Sequence, residues 1–383
     1  MDFVLSEREE LLGKSVREFA ESEITPRVEA MEATGEFPED LLGPMAKLGI
    51  TGIIAPPEYN GVGLGYLART IVLEELSRVC AAISMGIQVH HMAIAALNDF
   101  GTDGQKQKYI PPLAKGETMG VVAVTEPSGG SDVVGMQATA ERKGDKWILN
   151  GRKCFITNSH LSDFWVVIAK TAEGAKGLTA FIVEKDFPGA KTGRVEQKLG
   201  LRGSNTGELV FDNCEIPKEN ILGQEGGGLA VTLKTVSESG RTGMAATALG
   251  LISACLEEAG KFASERVLYG KPISTLQAIG FYMAEIYTEL DICRLLCYRA
   301  SWMKDQNMRS DTENAMAKYY TCDAAVRCAK KAIEIHGAYG ILQEYKVQRF
   351  LRDAMVTISA GGTGEIGKIV VGRAALAPFK KKS

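Results

Sequence analysis

A short apolar run, Val121–Val124, ends abruptly in Thr125-Glu126-Pro127-Ser128-Gly129-Gly130-Ser131-Asp132. The run predicts a strand, and the loop after it combines hydroxyls, two adjacent glycines and accessible backbone N–H groups. Such a loop suits a flat polar ligand that carries a phosphate. Thr125 is able to hydrogen-bond the edge of a heterocycle, while Gly129, Gly130 and Ser131 let backbone amides approach an anion closely. Pro-Ser-Gly-Gly also satisfies an ordinary turn, so the loop alone leaves both readings open. His90 and His91 stand in an otherwise apolar run, where an imidazole titrates near neutrality, although a satisfied core histidine is the plainer account. Cys293 and Cys297 are one helical turn apart with no histidine nearby, which reads as core and not as a metal site.

The elements that must position these groups fall into three blocks. Ser6 and Glu9 have capping-box spacing at the start of a helical pattern that Pro26 interrupts. A second helix begins after Pro38 and ends near Gly49, and Pro56–Gly63 reads as a loop. Helices are then predicted over 66–80, 82–99 and 103–115. From Gly120 the period changes to short, alternating or β-branched runs separated by Gly, Asn and Asp turns. Strands are expected at Met136–Glu141, Lys146–Asn150, Phe164–Lys170, Leu178–Val183, Arg194–Lys198 and Glu208–Phe211. Gly223–Gly228 reads as a hinge, after which helices are predicted over 229–268, 274–306, 311–339, 345–357 and 364–376. The fold class is therefore α+β: a helical domain (1–119), a middle β-barrel or sandwich (120–225) and a C-terminal helical bundle (226–383).

Composition narrows the function. The 383 residues are 45% apolar and 24% charged, with a formal net charge of −3. That balance, without a basic stripe interleaved with aromatics, gives no case for nucleic acid. The eight cysteines contain no CxxC pair, which fits reduced thiols in a cytoplasmic setting. Met1–Glu7 has no basic region followed by an apolar segment, so no leader is expected. Val79–Asn98 is uncharged but is broken by Gln88, His90, His91 and Asn98, so buried helices are expected there and not a membrane span.

Six ordered motifs carry a resemblance over essentially the whole chain. They are Val124–Asp132; Leu149-Asn150-Gly151-Arg152-Lys153-Cys154-Phe155-Ile156-Thr157-Asn158; Leu199-Gly200-Leu201-Arg202-Gly203-Ser204; Ser264-Glu265-Arg266 with Tyr269-Gly270; Glu334-Ile335-His336-Gly337 with Tyr339-Gly340; and Arg352-Asp353 followed by Gly362-Thr363-Gly364-Glu365-Ile366. Together they resemble the acyl-CoA dehydrogenase family. The resemblance implies an FAD-dependent enzyme, with Val122, Val124 and Thr125 lining the flavin and Gly130 and Ser131 meeting the pyrophosphate or the pantetheine arm. Phe155-Ile156-Thr157 matches the segment that stacks on the flavin, with Phe155 where many relatives carry tryptophan. Arg266, Tyr269 and Gln277 match positions that reach the FAD of a neighbouring subunit, as do Glu334, Gly337 and Ala338. Glu334 stands in place of the usual glutamine, and Ala338 in place of a glycine. Thr363 and Glu365 match the FAD-contacting last loop, and Arg241 matches an arginine that meets the CoA ligand. A homo-oligomer, a tetramer, follows from a cofactor built by two chains.

The resemblance also exposes a gap. Oxidising an acyl thioester at carbons 2 and 3 needs a carboxylate to take the α-proton. The family places that glutamate at one of two positions, which here are Gly361 and Gly240. The base is therefore expected elsewhere on the acyl pocket, which includes Ser131, Glu238, Arg241 and Gly361. His91 is the expected base and Glu238 the second candidate. A cyclic or already unsaturated acyl-CoA thioester, of the cyclohexene-carboxyl-CoA type, is the expected substrate, with electrons passed to an electron-transfer flavoprotein. Alternatives are an enoyl-CoA reductase running in reverse, or a flavin- or acyl-CoA-binding member without activity.

Overall fold

The computed structural model describes residues 4–379. Met1-Asp2-Phe3, part of the segment read for a leader, and residues 380–383 of the expected bundle lie outside the described residues. The chain opens with α1 (Glu7–Phe19), capped as its sequence demands: Ser6 Oγ accepts the Glu9 N–H and the Glu9 carboxylate accepts the Ser6 N–H. Pro26 has no N–H to continue an α-helical ladder. The chain there passes through a π-helical turn at Ala20–Ile24 and a tight turn at Thr25–Arg27 before α2 (Val28–Thr34). Three helices follow α3 (Leu42–Lys47): α4 (Gly65–Val79), α5 (Ala81–Phe100) and α6 (Asp103–Ala114).

The middle region forms an eight-stranded sheet of β1 (Gly120–Ala123), β2 (Thr139–Lys143), β3 (Lys146–Thr157), β4 (Phe164–Lys170), β5 (Leu178–Glu184), β6 (Ala190–Val195), β7 (Thr206–Pro217) and β8 (Ile221–Leu222). The order is β6-β7-β3-β2-β4-β5-β8, with β1 parallel to β4. Its halves meet at a single pairing, Thr139 with Lys170. Several strands differ from expectation: β3 runs on to Thr157, and β7 spans Thr206–Pro217. β2 starts at Thr139 and not Met136 because the N–H groups of Gln137 and Ala138 are taken by the Glu126 carboxylate. The run expected at Arg194–Lys198 lies earlier, as β6, where it pairs with β7.

The last third is helical: α7 (Gly228–Lys234), α8 (Arg241–Glu265), α9 (Gln277–Asp305), α10 (Asp311–His336), α11 (Val347–Ser359) and α12 (Gly364–Leu376). A hairpin of β9 (Val267–Leu268) and β10 (Lys271–Pro272) joins α8 to α9. The first helix expected here is two, because a π-helical turn at Thr235–Gly240 separates α7 from α8. Every residue of α8 from Thr242 to Cys255 is buried, which makes it the axis of the molecule. Gly250 is what lets α4 come so close: a Cβ there would lie 2.3 Å from the Glu74 carbonyl.

Candidate active site

The first group of expected residues is assembled by strand ends. The Cys154 N–H donates to the Thr125 carbonyl at 2.9 Å, which brings the loop after β1 against β3. Beneath this contact lies an ion pair that the sequence reading missed. Lys153 Nζ, fully buried, donates to Glu126 Oε1 at 2.7 Å and to the Val124 carbonyl at 3.0 Å. Glu126 also accepts the N–H groups of Gln137 and Ala138 at 2.6 and 3.0 Å. Burial opposes ionisation of Glu126, but the charge and hydrogen bond of Lys153 and the two amides outweigh it and hold the carboxyl below its ordinary range.

The loop uses one of its amides internally: the Gly129 N–H donates to the Glu126 carbonyl at 3.0 Å. Gly129 is therefore not free for an anion, in contrast to the reading of the loop. Gly130 and Ser131 are exposed, and a Cβ on Gly130 would sit 3.2 Å from Thr125. A register shift of β3 against β7 between Lys153 and Ile156 accompanies Phe155 in a left-handed conformation, φ 57°, with the residue 63% exposed. Such a bulge re-aims one side chain out of the sheet. Ile156 and Thr157 turn inward, and Asn158 Nδ2 donates to the Gly86 carbonyl at 2.9 Å, which joins the end of β3 to α5. Val122 is buried and Val124 and Thr125 are half-buried along the same edge.

A second group lies on the C-terminal helices. Arg266 stacks over the Tyr339 ring with its Cζ 5.2 Å from the centroid, and Tyr339 packs on Phe262. Gly337, φ 59° and ψ −135°, ends α10 in a conformation open to glycine alone. Glu334, Ala338 and Gln277 are exposed, and Tyr269 at the hairpin tip is 94% exposed.

The third group brings together the two positions where a base was sought. A Cβ on Gly361 would lie 3.4 Å from the Gly240 carbonyl oxygen and 3.5 Å from Met244 Cβ, and a Cβ on Gly240 would meet Met92. Lys318, buried on α10, donates to the carbonyls of Ile358 and Gly362 at 2.5 and 2.6 Å and so fixes the loop that carries Gly361. Thr363 caps α12, and Glu365 stands exposed in its first turn, where backbone N–H and the Thr363 hydroxyl hold its carboxyl low. Arg241 reaches Ser237 Oγ at 3.4 Å, and Glu238 pairs with Lys304.

His91 does not have the place expected of a base. It is fully buried; its Nε2–H donates to the Ile50 carbonyl at 2.8 Å, and its Nδ1 accepts from Arg69 Nε at 3.3 Å. Arginine only donates, so Nδ1 is the bare nitrogen and its lone pair is already used. Burial, then the Arg69 charge, holds this imidazole well below its usual range. His90, also buried, is lowered to about 4, mainly by burial. Both histidines stay neutral in the fold but take up a proton once unfolded. Their contribution is complete above the unfolded value near 6.5 and is lost as pH falls below it, at about 1.4 kcal/mol per pH unit for each. Asp353, buried and raised to about 6, acts in the opposite sense. Urea unfolding of wild type and His91→Gln between pH 7 and 5 should therefore give a shallower loss in the variant. Equal slopes would mean that His91 is protonated in the fold.

Comparison with known proteins agrees with this arrangement. The chain matches the N-terminal, middle and C-terminal domain models of acyl-CoA dehydrogenase over residues 6–117, 121–214 and 226–376. It belongs to the acyl-CoA dehydrogenase family, FAD flavoproteins that act on CH–CH bonds of acyl-CoA. It is 41% identical to an acyl-CoA dehydrogenase of Bacillus subtilis, over 96% of this chain and 98% of that one. It is 38% identical to the 3-(aryl)acrylate reductase of Clostridium sporogenes, over 96% and 98%. A chain solved in work on the electron transferring flavoprotein of Acidaminococcus fermentans superposes with a TM-score of 0.96 at 39% identity, covering 98% of this chain and 100% of that one.

The residues present fit a flavin. An aromatic ring is held out of the sheet by a bulge, beside a loop whose exposed glycine folds over Thr125. Arg69, Lys318 and the Glu126–Lys153 pair escaped the sequence reading. A lone arginine in the apolar run Leu67–Leu73 was the available signal for the first.

Proposed function

We propose that this protein is an FAD-dependent oxidoreductase for a cyclic or already unsaturated acyl-CoA thioester of the cyclohexene-carboxyl-CoA type. The observation that carries the reading is the convergence of Gly240 and Gly361, which supplies no carboxylate where the resemblance places one. Without it, a saturated chain has no acceptor for its α-proton. A ring that already holds a double bond loses a proton farther from the thioester, made acidic by conjugation. FAD, when bound, accepts the hydride. Val122, Val124, Thr125, Phe155, Ile156 and Thr157 would hold its ring, and Gly130 and Ser131 its phosphates or the pantetheine arm. Thr363 and Glu365 would close the site at the last loop, and Arg241 would meet the CoA ligand.

With His91 committed to Ile50 and Arg69, Glu238 takes the role of proton acceptor. It is the one acid on the Thr235–Gly240 turn, where it pairs with Lys304. The relative that reduces 3-(aryl)acrylates favours a second reading, in which the same site runs toward reduction.

Arg266, Tyr269, Gln277, Glu334, Gly337 and Ala338 would serve the flavin of a neighbouring copy, in a homotetramer. Exposed Phe281, Ile292, Leu295 and Trp302 fall on one face of α9 and support such packing. Eight free, buried cysteines suit a cytoplasmic protein, and an electron-transfer flavoprotein is the proposed acceptor. Among the described residues no helix is long and apolar enough to cross a membrane.

The test is anaerobic. The purified protein should be yellow, carry FAD near one per chain, and be bleached by a cyclohexene-type thioester but poorly by butyryl-CoA. Glu238→Gln should slow that bleaching by roughly a hundredfold or more. Brisk bleaching by butyryl-CoA would mean that a working α-base exists after all.

A further inference from the structure

Arg69 of α4 is fully buried and reaches the backbone next to Gly240, at the Ser239 carbonyl. Its Nε donates to His91 Nδ1, its Nη1 to Thr242 Oγ1 at 3.2 Å, and its Nη2 to the carbonyls of Gln88 and Ser239 at 3.3 and 3.0 Å. All four acceptors are neutral. Among the described residues Arg69 makes no ion pair, its Cζ lying 5.7 Å from the Tyr66 ring centroid, whereas buried charges in proteins are as a rule paired. One N–H of Nη1 is left over.

The surroundings are made to fit this side chain. A Cβ on Gly243 would come within 2.4 Å of Arg69 Nη2 and 2.5 Å of Gln88 Oε1, so α8 leaves out a side chain where the two meet. Close by, the Oε1 of Gln88 and the hydroxyls of Thr235 and Ser239 are buried without a hydrogen-bond partner, and each of these residues is at most 2% exposed. Thr235 and Ser239 stand on the same wide turn as Gly240. A cation without a counter-ion thus holds the backbone of the turn that carries Gly240 and these two unpartnered hydroxyls, next to the position the resemblance gives to the acyl group.

We propose that this cluster receives the far end of the acyl group, and that the group ends in a second carboxylate. The substrate class is then a cyclic or unsaturated dicarboxylic acid held as its mono-CoA thioester. Guanidinium and carboxylate match in charge and geometry. The two hydroxyls are donors to the same oxygens, and the Gln88 amide donates once turned about, its O and N being interchangeable by assignment. His91 gains a reason for its place: its lone pair orients Arg69. The inference rests on the acyl-CoA reading of the site.

The test compares two ligands on the FAD-loaded protein: cyclohexene-carbonyl-CoA and the same ring bearing a free carboxylate. Affinity is read from the thioester concentration that gives half of the full change in the flavin spectrum. Wild type should bind the carboxylated thioester roughly a hundredfold more tightly, and Arg69→Met should remove that advantage while leaving the neutral thioester nearly unchanged. Arg69→Lys should keep part of it. Equal affinities in wild type would overturn the proposal, whatever the variants do. Equal weakening of both ligands by Arg69→Met would overturn it too, and leave Arg69 as a clamp on the Ser239 carbonyl. Binding of the neutral ring alone would sink this inference and leave the proposed function standing. Failure of both thioesters to bind would sink both.

Discussion

Gly240→Glu should raise the oxidation of a straight-chain saturated acyl-CoA by roughly two to four orders of magnitude, the usual worth of a positioned general base. The backbone permits it. Gly240 has φ −67° and ψ −50°, ordinary helical values, and the contact a new Cβ would make is with the flexible end of Met92 at 3.2 Å. Leaving glycine within a helix is itself favourable, by up to about 1 kcal/mol. Gly361→Glu would place a carboxylate against the same point but from a left-handed residue, φ 68°, which costs a side chain about 1–2 kcal/mol. The two variants should therefore gain activity together and differ in stability, with the Gly361 variant unfolding at lower urea. Flavin bleaching by butyryl- and hexanoyl-CoA reads the activity. No gain in either variant would show that the two glycines do not face the α-carbon.

Lys153→Met should lower the unfolding free energy by about 3–5 kcal/mol, because it strands the Glu126 carboxylate in the interior. The loss is local as well as global. Glu126 ties together the end of β1, the loop that carries Thr125, and the two residues before β2. FAD should therefore be released more readily, as absorbance lost on gel filtration. Combining Lys153→Met with Glu126→Gln should recover much of the stability, since an uncharged pair carries a far smaller desolvation penalty. A single variant that loses less than about 1 kcal/mol would mean that water reaches Glu126.

What the sequence disclosed divides along physical lines. Periodicity found α4, α5, α9, α10 and α12, which declare themselves within their own residues, but ran α7 and α8 together. Local chemistry found the Ser6 capping box and the break at Pro26. Partners set by tertiary packing were out of reach. Nothing near His91 in the chain points to the Ile50 carbonyl or to Arg69, so the histidine looked like a base and is a structural acceptor. Gly240 and Gly361 were each visible, but that one faces the other depends on how α8 meets the loop after α11. The wide turn at Thr235–Gly240 went unseen because it alters the helical period by a single residue.

That turn has a consequence for how the site could have arisen. A π-helical turn holds one more residue than the α-helical turn it replaces, so it acts as a phase shifter between α7 and α8. Each residue of an α-helix advances the direction of the side chains by about 100°. Deleting one residue between Thr235 and Gly240 would leave a continuous helix while swinging α7 round relative to α8 by about that angle. Ser237 and Glu238 would then turn away from Asp311 and Lys304, while Gly243 and Met244 kept their places. The groups around Gly240 are thus open to change by the insertion or loss of one residue, separately from the buried helix that supports them.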